Sequence, residues 1–389
     1  MINELSNTVP NASRKVLLLT RYDHDDIGGQ AALAALCESL LCADPGARIT
    51  VLSSSAQAGD LPGVVRVIPR GAHGLAQLLV AARRQDVVVV DGGGRRHDDG
   101  RGIAAQVRAA CLKLLGLFND NVRVPALGTD AAPDPAYALS PAAPADADRV
   151  LRGLGVDPHR PLIGVVMRGL DERGAGSPWE RLRRPGLLDS AARDIELARM
   201  LDQVALGVET LASQMDATVL LLPTSSLGPE SDNGYCYQLA AMLRLDCVRV
   251  AHLHDPRLYK AVCGQLELMI SARVHPLLLA AGMGVPGVAL ATGSEFDRHF
   301  DLLDIPRRVV PLENLRDGTQ TDRLVSLGEE AMNARVDLRG RCERLRGRLV
   351  RNAAALLEPP AAGEVLRPAH GRPASARPLS GHPASSRPA

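Results

Sequence analysis

With 389 residues, 46% of them hydrophobic and only three Phe and one Trp, the chain is long enough for about two domains with cores built from Val, Leu and Ala. A formal net charge of +1 and the shortage of aromatic rings argue against nucleic acid as a partner, since both the electrostatic pull and the base-stacking platforms are missing. Seven cysteines without a C-x-x-C pair argue against a disulfide framework or a zinc site and fit a reducing cytoplasm.

Met1-Ile-Asn-Glu-Leu lacks the basic-then-apolar plan of a signal peptide. The longest apolar run, Pro276 to Ala291, is short for a membrane span and is broken by Gly and Pro. A soluble, cytoplasmic chain with no membrane span is expected; nothing in the sequence fixes its oligomeric state.

After a polar segment, residues 1–13, read as disordered, Lys15 to Leu19 is the first strand. Helix Gln30 to Cys42, strand Arg48 to Leu52, helix Gly74 to Arg83 and strand Val87 to Val90 follow. A second series starts with a strand within Pro161 to Met167. It continues through helix Ser190 to Met215, strand Thr218 to Leu222, helix Cys236 to Leu243, strands Cys247 to Val250 and Leu266 to Ile270, helix Pro276 to Gly282 and strand Gly287 to Leu290. Repeated βα units imply parallel sheets covered by helices, here as two doubly wound Rossmann-like α/β domains facing a cleft.

The expected division is 14–150 for the first domain, 151–320 for the second and 321–357 for a helical region. Residues 358–389, rich in Pro, Ala, Ser and Arg, read as a disordered tail. Arg339, Arg341, Arg344, Arg346, Arg348 and Arg351 make the last helix basic, which reads as a solvated face, with an anionic polymer or membrane surface as the other reading.

Ligands of open parallel sheets bind beyond the carboxyl ends of the strands, and the unusual residues fall there. After the first strand, Gly28 and Gly29 allow close backbone approach, and Asp25 or Asp26 can cap the helix. Asp23, His24 and Asp25 are adjacent in the chain, an arrangement that rarely converges on one metal ion. Gly92, Gly93 and Gly94 directly follow a strand and clear side chains from a place of close approach. Asp98 or Asp99 beyond them either accepts a proton from a sugar hydroxyl or caps a helix.

In the second series Arg168 puts a cation at the mouth of the cleft. The Thr224, Ser225 and Asp232 segment offers hydroxyls and amides to a phosphate or sugar. His252, His254 and Asp255 suggest a metal, but Asp255-Pro256 reads as an ordinary helix start. In Ser271-Ala-Arg273-Val-His275-Pro276 a buried strand turns into a helix. Helix amides, a guanidinium and an imidazole there form an anion site with a proton donor. Pro276 suits the first helical position. The alternative is a local ion pair for Arg273 and a satisfied helix-start histidine. No Walker loop, H-E-x-x-H or G-x-G-x-x-G fingerprint is present at the expected places.

These segments resemble the polysaccharide pyruvyl transferase family. Asp26-Ile-Gly-Gly-Gln-Ala-Ala-Leu33 is similar to its N-x-G-D-E-A-type loop and Asp86 to Gly94 to its D-x-V-V-x-G-G-G. Pro161 to Arg168 matches a third segment. Glu267-Leu-Met-Ile-Ser-Ala-Arg-Val-His275 with Gly284-Val-Pro286 resembles its D-L-V-I-S-x-R-L-H…G-V-P, and Asp134-Pro-Ala-Tyr137 its D-P-A-F.

The resemblance implies a fold like the glycosyltransferase-B architecture and transfer of a pyruvyl group from phosphoenolpyruvate to a saccharide or glycan-like acceptor. It assigns Arg168 and Arg273 to the donor, with Ser271, Thr224 and Ser225 beside it, and His275 as general acid. Asp26, Gly28, Gly29, the glycine triplet and Asp98 or Asp99 fall on the acceptor side, and no metal or redox cofactor is called for. Gly29-Gln30 replaces the family's Asp-Glu pair, and the chain between Gly94 and Asp134 is short, which predicts a trimmed first domain. The alternatives are a nucleotide-sugar glycosyltransferase and a catalytically inactive binding or regulatory relative.

Overall fold

The computed structural model describes residues 13–19, 26–53, 59–69, 72–90, 114–117, 119, 121–123, 133–168, 187–225, 232–291, 294, 296–315, 320–334 and 336–358. The glycine triplet, Asp98, Asp99 and the Asp23-His24-Asp25 run lie outside these residues. So do residues 1–12 and 359–389, for most of the two ends where composition predicts disorder.

The first sheet is built from β1 (Lys15–Leu19), β2 (Arg48–Ser53), β3 (Val64–Pro69), β4 (Val87–Val90) and β5 (Val122–Arg123), ordered β3-β2-β1-β4-β5. Every pairing is parallel. α1 (Ile27–Ala43) follows β1, and α2 (Ala72–Arg83) joins β3 to β4. Unbroken apolar runs such as Val87-Val-Val-Val90 suit strands buried on both faces.

A 3-10 turn (Pro135–Ala138) and α3 (Pro144–Gly153) lead to the second sheet. Its strands are β6 (Leu162–Val166), β7 (Thr218–Leu221), β8 (Val248–Val250), β9 (Leu268–Ser271), β10 (Gly287–Ala291) and β11 (Val309–Pro311). They are ordered β11-β10-β9-β6-β7-β8 and all parallel. The helices between and after them are α4 (Leu187–Met215), α5 (Asn233–Met242), α6 (Pro256–Cys263), α7 (Val274–Gly282), α8 (Asp297–Leu303), α9 (Leu312–Leu315), α10 (Thr321–Asn333) and α11 (Leu338–Leu357). The doubly wound α/β reading therefore holds for both sheets.

Some boundaries differ from the sequence reading. α1 starts at Ile27, because Asp26 is its N-cap and accepts from the Gly29 N–H; Gly28 and Gly29 thus sit in the first helical turn, not in a loop. α7 starts at Val274 with Arg273 as N-cap, so Pro276 is its third residue, where its missing N–H still costs no helical hydrogen bond. The region 321–357 is two helices, since Asp337 accepts from the Gly340 N–H and caps a new one. β3, α8 and β11 carry weak sequence signals and emerge only in the folded chain.

α1 holds the two halves together. One face of it, Leu33, Leu36, Cys37 and Leu40, packs with Val16, Leu18, Val51 and Val89 of the first sheet. Ile27, Ala31, Ala34 and Ala35 join a second core with Tyr137, Leu277 to Ala281 and Phe300. A helix apolar all round is one buried all round. α11 spans the same two cores: Leu338, Leu345 and Leu349 enter the second, Ala353 and Leu357 the first. Its outer face keeps the arginines: Arg344, Arg348 and Arg351 are exposed, while Arg339 and Arg341 donate to Met283 O and the Asp304 carboxylate.

Candidate active site

The strands of the second sheet deliver the candidate residues to one edge. Val166 is level with Ser271 across the β6–β9 pair, and Val165 is level with Leu221 across β6–β7. Two residues past those levels stand Arg168 and Arg273, and three past Leu221 stands Thr224. Arg168 and Arg273 therefore leave neighbouring strands at the same height of the sheet edge.

Asp232 occupies the centre of this edge. Its side chain is fully buried. One oxygen accepts from the Thr224 N–H at 3.1 Å and the Thr224 hydroxyl at 2.7 Å. Arg273 donates from Nε to both oxygens at 3.1 and 3.0 Å and from Nη2 at 2.7 Å. The Thr224 hydroxyl and amide, read from the sequence as phosphate or sugar ligands, thus hold the chain's own carboxylate. Ser271 is also buried: its hydroxyl donates to Arg273 O at 2.7 Å and accepts from Arg273 N–H at 3.0 Å. It shapes the turn instead of facing a ligand, a correction to its assignment as a donor contact. Ser225 accepts the Asp232 N–H on its carbonyl and bridges Asp26 in antiparallel fashion.

His275 lies where the two halves meet. Its Nε2 is 3.4 Å from the Asp134 carboxylate, and both side chains are about a quarter exposed, at 28% and 23%. Its other edge faces the first turn of α1: a methyl group on Gly28 would lie 2.1 Å from Nδ1. The close approach that Gly28 permits is thus to an imidazole of this chain. Ile27 N–H donates to Thr224 O at 2.9 Å, so the start of α1 also docks on the β7 edge.

Burial pulls the His275 pKa down, but the hydrogen bond and charge of Asp134, with the charge of Asp26, outweigh it and the opposing Arg273, leaving it above the ordinary 6.5. Burial pushes Asp134 up, yet the His275 hydrogen bond and charge, the Ala136 N–H and the Arg298 charge hold its carboxyl below the ordinary 3.8. Each partner thus favours the charged form of the other, which makes His275 a better-loaded proton donor than a free imidazole.

A partly open pocket enclosing about 280 Å³, solvent-facing space included, adjoins the site between Ile27 and Gln30 of α1 and Pro223, Thr224 and His252 to His254. His252 Nε2 and the Tyr237 hydroxyl are 2.8 Å apart, and Asp255 caps α6, as its sequence predicts. Among the described residues no group of three or more His, Cys, Asp or Glu could hold a metal ion, and no helix is long and apolar enough to cross a membrane. The sequence reading missed Asp134 and Asp232 as partners of the site. Asp232 is legible as part of the Thr224 segment and Asp134 as part of Asp134-Pro-Ala-Tyr137, but the contacts that matter are long-range, 41 residues apart for Asp232 and Arg273.

Two parallel α/β units joined by a shared helix layer, with charged residues gathered at the carboxyl edge of the second, define a fold of the glycosyltransferase-B type. No family model matches the chain, and no curated protein matches it in sequence. Solved structures with this fold include the UDP-GlcNAc 2-epimerase from Methanocaldococcus jannaschii, at 12% identity and a TM-score of 0.51, covering 88% of this chain and 99% of that one. ADP-heptose lps heptosyltransferase II of E. coli is similar at 15% identity and a TM-score of 0.49, covering 82% of this chain and 98% of that one. The calicheamicin glycosyltransferase CalG4 follows at 14% and 0.45, covering 88% and 96%. At 12% identity the likeness to the epimerase is one of fold alone.

Proposed function

We propose that the chain is a transferase that moves the pyruvyl group of phosphoenolpyruvate to a saccharide or glycan-like acceptor. The observation that carries this reading is the β9–α7 turn. It sets a guanidinium and an imidazole paired with the Asp134 carboxylate two residues apart at the carboxyl edge of a parallel sheet, in the sequence context Ser271-Ala-Arg-Val-His275.

The chemistry suits those groups. The imidazolium of His275 protonates the methylene carbon of the donor, which leaves its C2 an oxocarbenium-like centre. One acceptor hydroxyl adds at C2 and gives up its proton. Phosphate departs as its bond to C2 breaks, and a second hydroxyl closes the ketal. One hydroxyl proton reloads His275 and the other leaves with phosphate, so the step balances without an oxidant. Arg168 and Arg273 hold the donor's carboxylate and phosphate, and Asp134 keeps His275 protonated between turnovers. Because Nε2 faces Asp134 and Nδ1 faces Gly28, proton delivery includes a shift of the ring or of the first turn of α1. No cofactor enters the scheme; the donor is itself the substrate.

Incubation with phosphoenolpyruvate and a panel of glycans tests the reading, with phosphate release and acceptor mass as the readouts. Phosphate release with an acceptor heavier by one pyruvate less one water supports it. Consumption of a sugar nucleotide instead supports a glycosyltransferase, and binding without turnover supports a silent relative.

A further inference from the structure

We propose that Asp232 is a positioning residue that aims Arg273 at an anionic donor and ties that aim to the seating of α1; this rests on the donor reading above. The geometry is that of a bracket. Asp232 is fully buried and lies beyond β7, outside the β9–α7 turn that carries Arg273. It takes the Nε side of the guanidinium through Nε and Nη2, which fixes the guanidinium plane. Only 17% of the Arg273 side chain is exposed.

Asp232 is itself held from a second direction. The Thr224 N–H and hydroxyl both donate to it, and the Thr224 carbonyl accepts from the Ile27 N–H at the start of α1. Backbone of the first unit, Thr224, Asp232 and Arg273 therefore form one continuous hydrogen-bonded chain. A carboxylate with no exposure and this many donors is a built support, because burying it unpaired would be strongly unfavourable. The support matters for binding, since a guanidinium already oriented loses less freedom when it meets a carboxylate or phosphate.

The test compares Asp232→Asn, Asp232→Glu, Arg273→Lys and the Asp232→Asn/Arg273→Lys double variant with the wild-type chain. Calorimetric titration with phosphoenolpyruvate, titration with inorganic phosphate, and the NMR resonance of the Arg273 Nε–H are the readouts. Asp232→Asn is expected to speed exchange of that Nε–H and to weaken phosphoenolpyruvate binding by about 10- to 100-fold, the range for loss of a charged hydrogen-bond partner. KM should rise far more than kcat falls. The double variant should bind little worse than Arg273→Lys alone, because both changes act through one guanidinium.

Multiplicative losses, or a protected Nε–H in Asp232→Asn, would overturn the proposal. Tighter anion binding by Asp232→Asn would too, since it would make Asp232 a competitor for the seat. If Asp232→Asn does not fold, Asp232→Glu carries the test: the charge stays, the reach is wrong, and weakened binding by the folded protein is expected. A wild-type chain that ignores phosphoenolpyruvate but shifts its Arg273 resonance with phosphate would sink the donor reading and leave Asp232 standing. A resonance unmoved by either anion sinks both.

Discussion

Gly28→Ala is the smallest change that probes the junction of the two halves. Gly28 lies in the first turn of α1 and has no positive φ, so helix propensity alone would make alanine stabilising by about 0.5–1 kcal/mol. Packing reverses the sign. The added methyl would lie 2.1 Å from His275 Nδ1, 2.4 Å from Cγ and 2.8 Å from Cβ, where ordinary contact begins at 3.4 Å. The ring is short and tethered to Asp134, and Ile27, Gly28 and Gly29 in the first turn of α1 are buried, so neither can yield cheaply. Overpacking of this kind costs about 1–3 kcal/mol, which leaves a net loss of up to about 2.5 kcal/mol after the propensity gain. The denaturation midpoint in urea should fall with an unchanged m-value, and the NMR titration of His275 should move as its contact with Asp134 loosens. Gly234→Ala is the control, because a methyl there meets nothing within 4 Å. A Gly28→Ala protein as stable as Gly234→Ala, with the His275 titration intact, would refute the reasoning.

Other expectations follow from the same geometry. Asp134→Asn removes the hydrogen bond and charge that hold His275 up, so the His275 pKa should drop below that of the wild type by NMR; an unchanged pKa would exclude the pairing. Burial holds His299 at about 3 against an ordinary 6.5, with the Tyr137 hydroxyl 2.8 Å from its Nδ1. The unfolded chain binds that proton first, so this contribution is complete above pH 6.5 and is lost as pH falls toward 3, at a slope of about 1.4 kcal/mol per pH unit. His275 works with the opposite sign: its raised pKa stabilises fully below 6.5, and that is lost as pH rises through the folded value. Urea midpoints at pH 7 and 5 for wild type and His299→Gln should therefore converge as pH falls; a constant gap would contradict the buried neutral ring. His275→Ala should abolish turnover and keep phosphoenolpyruvate binding, whereas Arg273→Ala should weaken binding itself. Normal turnover in both would remove them from the site.

Much of this was legible in the chain. The strands Lys15 to Leu19 and Val87 to Val90 end where expected because short Val- and Leu-rich runs bounded by polar residues admit little else. The Asp26 and Asp255 caps were legible because capping is local: an oxygen on the residue before the helix meets an N–H two or three residues on. What escaped was long-range. Nothing local says that Asp232, a helix-start residue, reaches Arg273, or that Gly28 is small because a histidine from the other unit lies against it. Ser271 shows the converse error: a hydroxyl at a ligand-bearing edge can serve its own turn. β3 and β11 were unread because their apolar signals are short and broken by Arg66 in one case and adjoin Arg307 and Arg308 in the other.

The fate of phosphoenolpyruvate decides between pyruvyl transfer and its alternatives. Mass spectrometry of the acceptor pool, with phosphate assayed in parallel, should show one pyruvyl ketal formed for each phosphate released by the wild-type chain and neither by His275→Ala. Phosphate release without acceptor modification, or a pool changed only when a sugar nucleotide is supplied, would contradict it.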